Sequence, residues 1–215
     1  MKMIIQRILA ISVVIVLSLV LNYATTQDII STETGQIGFQ ILLIIYLIQL
    51  VVFLISFVLK TEHYYDLTGG ITYITVIVYT LYQKQLLGAL DFRSILLGVL
   101  ILVWAMRLSS FLFLRIKKAG KDRRFDKIKT NFTRFMLAWA LQGFWVFMCT
   151  LPAITAIASD SKTTDYFLIG GAALWLFGFI MEVIADRQKS AFNQDPRNKG
   201  QFIATGLWSI SRHPN

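Results

Sequence analysis

Apolar residues along this chain fall in long blocks, at about 4–21, 39–59, 66–82, 94–114, 135–158 and 166–185. Each block is close to the roughly twenty residues an α-helix needs to cross a hydrocarbon layer about 30 Å thick. Only three prolines occur, so the blocks can be unbroken helices. No period of twenty to fifty residues repeats, which excludes a solenoid. The first block follows Lys2 and Arg7 as a signal peptide would. It lacks a small-x-small site around residues 22–24 and further spans follow, so it reads as an uncleaved first helix. The pattern predicts an all-α fold: a polytopic transmembrane helical bundle, one domain over residues 1–215, with six spans.

Composition agrees with the pattern. The chain is 56% hydrophobic and 15% charged, with a mean hydropathy of +0.62, whereas soluble domains run near a quarter charged. The single cysteine, Cys149, lies inside an apolar block and excludes disulfides and thiolate metal sites. The two histidines, His63 and His213, suggest no metal either.

Basic residues set the expected orientation. The segment 115–134, "RIKKAGKDRRFDKIKTNFTR", holds nine Lys or Arg against two Asp. The positive-inside rule places it in the cytosol. Six spans threaded from there put the N-terminus, the 60–65 link and the tail after residue 185 on the same side. Of the 21 basic residues, only Lys84, Arg93 and Lys162 then lie outside, and Arg107 lies within a span. The membrane is expected to be the endoplasmic reticulum in a eukaryote and the inner membrane in a bacterium. The net charge of +9 thus collects on the cytosolic face. Topogenesis and attraction to anionic membrane lipids account for it, and an anionic cofactor at the cytosolic mouth is the sharper reading. No nucleic-acid recognition fold accompanies the charge.

Polar groups inside the spans narrow the chemistry, because each is costly in hydrocarbon and tends to face a partner or a cavity. Arg107, Phe111 and Arg115 recur every four residues and share one helix face. Arg107 either snorkels to the interface or serves a site. Gln142 is expected to bond another helix. In "FIMEVIADRQKSAFNQDPRNKG", Glu182, Asp186, Lys189 and Asn193 are spaced four, three and four apart, on one narrow face. Two carboxylates at i and i+4 repel, so they call for a partner, a proton or a shared ligand. In "KTEHYYDLTGGITY", Glu62, Tyr65 and Asp66 are groups that donate protons or polarise a carbonyl, although interfacial tyrosines also serve as anchors. The glycines after them permit close helix approach or a nearby ligand. The chain ends "SRHPN", where Pro214 suits a first helical turn and Arg212 suits a bidentate grip on phosphate.

The stretches "DLTGGITYI", "VWAMRLSSFLFLRI…GKDRRFD" and "GFIMEVIADRQKSAF…GQFIATGLWSISRHPN" resemble the DUF1295 group of the steroid 5-alpha-reductase-like membrane proteins. The resemblance implies a seven-helix reductase with NADPH held from the cytosolic side by the last three helices. Its substrate would be the carbon–carbon double bond of an enone lipid. By the same resemblance Glu182 and Asp186 bond the nicotinamide end, with Lys189 and Asn193 beside them. Asn215 would bond the cofactor near the terminal motif, where Arg212 and His213 are further candidates, and Arg107, Arg115, Lys118 and Arg124 would face its phosphates. Glu62, Tyr65 and Asp66 are the candidates for polarising the substrate carbonyl.

That group continues past the asparagine into a seventh span, so the chain is expected to be C-terminally truncated, with residues 212–215 a free end. Two rivals stand beside the reductase. One is an S-adenosylmethionine-dependent methyltransferase of the isoprenylcysteine carboxyl type, which shares an "RHP" ending and binds a cofactor without phosphate. The other is a non-catalytic membrane protein.

Overall fold

A computed structural model describes residues 1–26, 31–32, 35–159 and 166–215. Among them run six long helices: α1 (Lys2–Thr25), α2 (Ile37–Val58), α3 (Tyr65–Leu86), α4 (Phe92–Ala119), α5 (Phe132–Ala158) and α6 (Tyr166–Gln194). All but α3 are both long and apolar enough to cross a membrane. The protein is all-α and multi-pass, as the apolar blocks predict. The described residues also include a two-residue antiparallel ladder between β1 (Ser31–Thr32) and β2 (Gly35–Gln36).

Helix α3 is the more polar one because threonines punctuate it. Thr68, Thr72 and Thr80 each donate to the carbonyl four residues earlier, which settles the hydroxyls inside the helix. All three are buried, so α3 turns this face inward.

Most helices outrun their apolar blocks, since backbone hydrogen bonding does not stop where hydropathy does. Helix α4 starts where the Asp91 carboxylate accepts from Ser94 N at 2.9 Å and ends at Gly120 with φ of +80°. Asn131 caps α5 in the same way, through Arg134 N at 3.1 Å. Helix α6 continues through "DRQKSAFNQ" and stops only before Asp195 and Pro196, where a proline disfavours helix in the residue ahead of it.

The chain forms two compact units, Met1–Thr163 and Thr164–Asn215. In the first, α5 packs against α1, α2, α3 and α4, and α3 packs along α4. Ile41 and Ile45 of α2, Val76 and Ile77 of α3, and Phe147 and Ile154 of α5 form the main core. Between helices in lipid, such contacts act by van der Waals packing rather than by the hydrophobic effect. Polar pairs add to it: Gln49 with Thr72, Tyr79 with Gln40 and Gln142 with the Tyr65 carbonyl. The last is the interhelical bond expected of Gln142. Such bonds in membranes average about 0.6 kcal/mol each.

Each end of α3 carries a buried ion pair. At its C-terminal end Lys84, 1% exposed, meets Asp91 at 2.9 Å and donates to the Ser159 carbonyl at 2.9 Å. Lys162, also expected on that side, lies outside the described residues. In the second unit the chain beyond α6 turns at Pro196–Asn198 and again at Gly206–Ser209, then runs back along α6.

Candidate functional sites

In the first unit the residues just ahead of and within the first turn of α3 are gathered by the segment between α4 and α5. Phe125 is buried among Tyr65, Phe135 and Trp139, which draws the segment inward. Glu62, 3% exposed, accepts from Asp122 N at 2.9 Å and from Lys129 Nζ at 2.5 Å. Burial alone would raise this carboxyl. The Lys129 ammonium and the Asp122 N–H outweigh burial and hold it below the usual carboxylate value. His63 Nε2 lies 2.9 Å from the Gly120 carbonyl, which can only accept, so that nitrogen carries the proton. Asp122 is held low chiefly by its bidentate bond to Arg124.

Of the three residues expected to polarise a carbonyl, two thus have structural partners. The Glu62 carboxylate is tied to Lys129, and the Tyr65 hydroxyl donates to the Ala138 carbonyl at 2.9 Å. Asp66 instead lines a cavity of about 330 Å³ among α3, α4 and α5, and feels the charges of Arg124 and Arg115. Gly69 and Gly70, in the same wall, let α4 and α5 approach closely. A Cβ on Gly70 would strike Ser109, and one on Gly69 would come within 2.8 Å of Gln142 Nε2.

Sequence reasoning did not single out Tyr73, one of the groups that line this cavity. It is 7% exposed, stacks edge-on against Trp104 at 5.1 Å, and its hydroxyl has no hydrogen-bond partner. Cys149 lies near it, short of a hydrogen bond of normal geometry. Gln142 Oε1 is also unpaired, since the amide turns its nitrogen to the Tyr65 carbonyl. The signal available in the sequence was spacing: Tyr73 follows Asp66, Gly69 and Gly70 at seven, four and three residues, on their helix face.

The expected cofactor residues divide between the units. Arg107, Arg115, Lys118 and Arg124 belong to the first. Arg107 is half-buried with its guanidinium 5.3 Å from the Phe111 ring, and the other three are exposed. Glu182, Asp186, Lys189, Asn193, Arg212, His213 and Asn215 belong to the second.

Within the second unit, the returning chain meets α6 at three points. Leu207 N donates to Gln188 Oε1 at 2.9 Å, Trp208 Nε1 to the Ala185 carbonyl at 3.0 Å, and Asn215 Nδ2 to Asp186 Oδ1 at 2.7 Å. Gly206, with φ of +61°, allows the close approach, because a Cβ there would collide with Gln188. The ending is therefore docked rather than free, as its amide finds the buried Asp186. Between α6 and the returning chain lies a cavity of about 760 Å³, which Lys189, Asn193, Arg212 and His213 line together with Phe192, Phe202 and Trp208. Lys189 Nζ sits 4.4 Å from the centre of the Trp208 ring. Cations and flat aromatic faces on one wall suit a ligand with both anionic and planar parts.

Among the described residues no cluster of His, Cys, Asp and Glu suits a metal ion. The chain is 27% identical over 71 residues to the probable O-methyltransferase ustE of Ustilaginoidea virens, a stretch covering 33% of this chain and 25% of that protein. The chain thus spans about a quarter of that relative's length. No solved structure matches. The family model described as "Protein of unknown function (DUF1295)" matches residues 52–215, from the middle of α2 to the docked ending. Both candidate sites fall within this span, and the chain belongs to the DUF1295 family.

Proposed function

We propose that this protein is an integral-membrane reductase that uses NADPH to reduce a conjugated carbon–carbon double bond in an enone lipid. The observation that carries the reading is the second unit's cavity, where Lys189, Arg212 and His213 share a wall with Trp208. That set fits NADPH, whose phosphates ask for cations and whose rings ask for aromatic faces. Asn193 offers an amide to the same ligand, and Glu182 with the Asp186–Asn215 pair would take its nicotinamide end. NADPH, when bound, supplies the hydride.

Reduction of an enone moves negative charge onto the carbonyl oxygen, which needs a donor aimed at it. The Tyr73 hydroxyl is such a donor: buried, unpaired and in the wall of a mostly apolar cavity. Asp66 lies in the same wall, and Glu62 and Tyr65 position it by fixing the start of α3. Apolar burial worth about 25 cal/mol per Å² would hold the lipid body. The 115–134 segment is assigned to the cytosol, where NADPH is available.

The methyltransferase relative favours a second reading, methyl transfer from S-adenosylmethionine. Its cofactor has no phosphate for Lys189 and Arg212 to hold. Titrating the full chain in detergent with NADPH and with S-adenosylmethionine, read by tryptophan fluorescence, decides between them. NADPH is expected to bind and to weaken about tenfold in Arg212→Ala, the loss of one charge-assisted contact. Binding of S-adenosylmethionine with no response to NADPH would establish the second reading.

A further inference from the structure

The end of the first unit where α4 stops carries more positive charge than its own acids answer. Residues 115–129 hold eight Lys or Arg. Three of them are matched: Lys121 by Asp126 at 3.3 Å, Arg124 by Asp122, and Lys129 by the buried Glu62 at 2.5 Å. Arg115, Lys117, Lys118, Arg123 and Lys127 remain, all exposed and, among the described residues, without an ion pair.

Two features of the fold fix the level at which these charges stand. Along α4, Val103, Met106 and Leu114 are 41%, 49% and 61% exposed and share one helix face. That apolar stripe runs straight into Lys117, with Lys118 beside it on the same face. At about 1.5 Å per residue, Lys118 lies roughly 6 Å beyond Leu114, a step from hydrocarbon to headgroups. The segment after Gly120 does not rise away from that level. Phe125 is buried against Tyr65 and Phe135, Ile128 packs on the same cluster, and Glu62 holds both Asp122 N and Lys129. Tyr64 and Phe132, 42% and 43% exposed, stand beside it as interfacial aromatics do.

An apolar stripe capped by unmatched ammonium groups has the profile of one lipid: chains below and a negative phosphodiester above. A zwitterionic headgroup brings its own cation to that position and gains less. A soluble anion leaves the stripe unused.

We propose that this face of α4 binds an anionic phospholipid. Its acyl chains lie along Val103, Met106 and Leu114, and its phosphodiester meets Lys117 and Lys118. Arg115, Arg123 and Lys127 keep the surrounding surface positive. The site stands apart from the reductase reading, since it uses no residue of the second unit's cavity.

The test is native mass spectrometry of the full chain in detergent, titrated with equal amounts of phosphatidylglycerol and phosphatidylcholine of identical chains. Phosphatidylglycerol should be retained about fivefold or more over phosphatidylcholine, the gain from one basic residue near an anionic surface. Lys117→Gln combined with Lys118→Gln should abolish that preference without moving the thermal transition, because both side chains are exposed. Arg187→Gln with Lys199→Gln, which removes two exposed cations of the second unit, should leave it intact. Glycerophosphoglycerol, the same headgroup without chains, should not displace the lipid at millimolar concentration. Equal retention of the two lipids overturns the proposal. So does displacement by the chainless headgroup, which would make this a site for soluble anions. A preference lost only in the second-unit variant overturns it as well, because the lipid would then sit elsewhere.

Discussion

The segments that follow α4 and α6 look alike in sequence and are built in opposite ways. Both are basic, both contain an aspartate that grips an arginine two residues on (Asp122 with Arg124, Asp195 with Arg197), and both carry a phenylalanine. After α4, Phe125 is buried and the segment is tied to the buried Glu62 carboxylate. After α6, Phe202 is 95% exposed and Ile210 84% exposed, and side-chain bonds to α6 hold the returning chain. The charge pattern does not separate a buried plug from an exposed return segment. Burial does.

The largest test of this contrast is the pair Phe125→Ala and Phe202→Ala. The first empties a site packed by Tyr65 at 4.8 Å and Phe135 at 6.1 Å, and should cost about 3–5 kcal/mol. The second removes a ring from an exposed position and should stay within about 0.5 kcal/mol. Thermal unfolding of both variants in detergent reads the difference. Equal shifts would erase the contrast.

Next comes Glu62→Ala, which strands Lys129 and the Asp122 N–H. Breaking a buried pair costs about 3–5 kcal/mol, and the partial exposure of Lys129 puts this one near the lower end. The pH dependence follows from the depressed Glu62 carboxyl. Its contribution is fully present above its unfolded value, near 4.5, and is lost as pH falls through the lower folded value. The unaltered protein should therefore lose thermal stability below about pH 4.5 more steeply than Glu62→Ala does. Parallel curves would show that Glu62 is not the group responsible.

These residues also show what the sequence made legible. The six helices could be read because spanning a membrane imposes a length and an apolarity on each block. The extensions of α4 and α6 could not, because capping by Asp91 and the stop before Pro196 are local geometry rather than hydropathy. The cluster of Glu62, Tyr65 and Asp66 was visible as chemistry, yet its division of labour was not. Glu62 meets Lys129 across 67 residues and Tyr65 meets Ala138 across 73, and no local pattern encodes such pairings. Tyr73 went unremarked for the opposite reason: a tyrosine in an apolar span looks ordinary until its hydroxyl is found unpaired. In the second unit, the face spaced at Glu182, Asp186, Lys189 and Asn193 was legible because one continuous helix carries it. The docking of Asn215 on Asp186 depended on the chain turning back at Gly206.

A smaller effect separates the docked ending from the plug. Asn215→Ala removes the 2.7 Å bond to Asp186 and should cost about 1.5–3 kcal/mol of local docking, the range for bonds to charged groups. The first unit's thermal transition should not move, while protease cleavage after Arg212 should quicken. A shift of the whole transition would mean that the return segment supports more than its own unit.

The smallest expected effect is the most specific test. Asp195 and Arg197 make the same bidentate contact as Asp122 and Arg124, and the Arg197 guanidinium likewise holds the Asp195 carboxyl below its ordinary value. The Arg197 side chain, however, is 88% exposed. Water and salt screen such a pair, and holding two side chains in register offsets what attraction remains. Asp195 also does a second job, accepting from Arg197 N to cap the turn at Pro196–Asn198. Asp195→Asn separates the two roles, because asparagine removes the charge and still caps well. The variant should unfold at the same temperature as the unaltered protein, at low and at high salt, despite losing an ion pair that appears as close as the one after α4. Asp195→Ala, which also loses the cap, should loosen the turn and raise protease cleavage near Arg197. If Asp195→Asn alone lowers the transition, the ion pair after α6 is structural, and the distinction between a buried plug and an exposed return segment fails at its most exposed point.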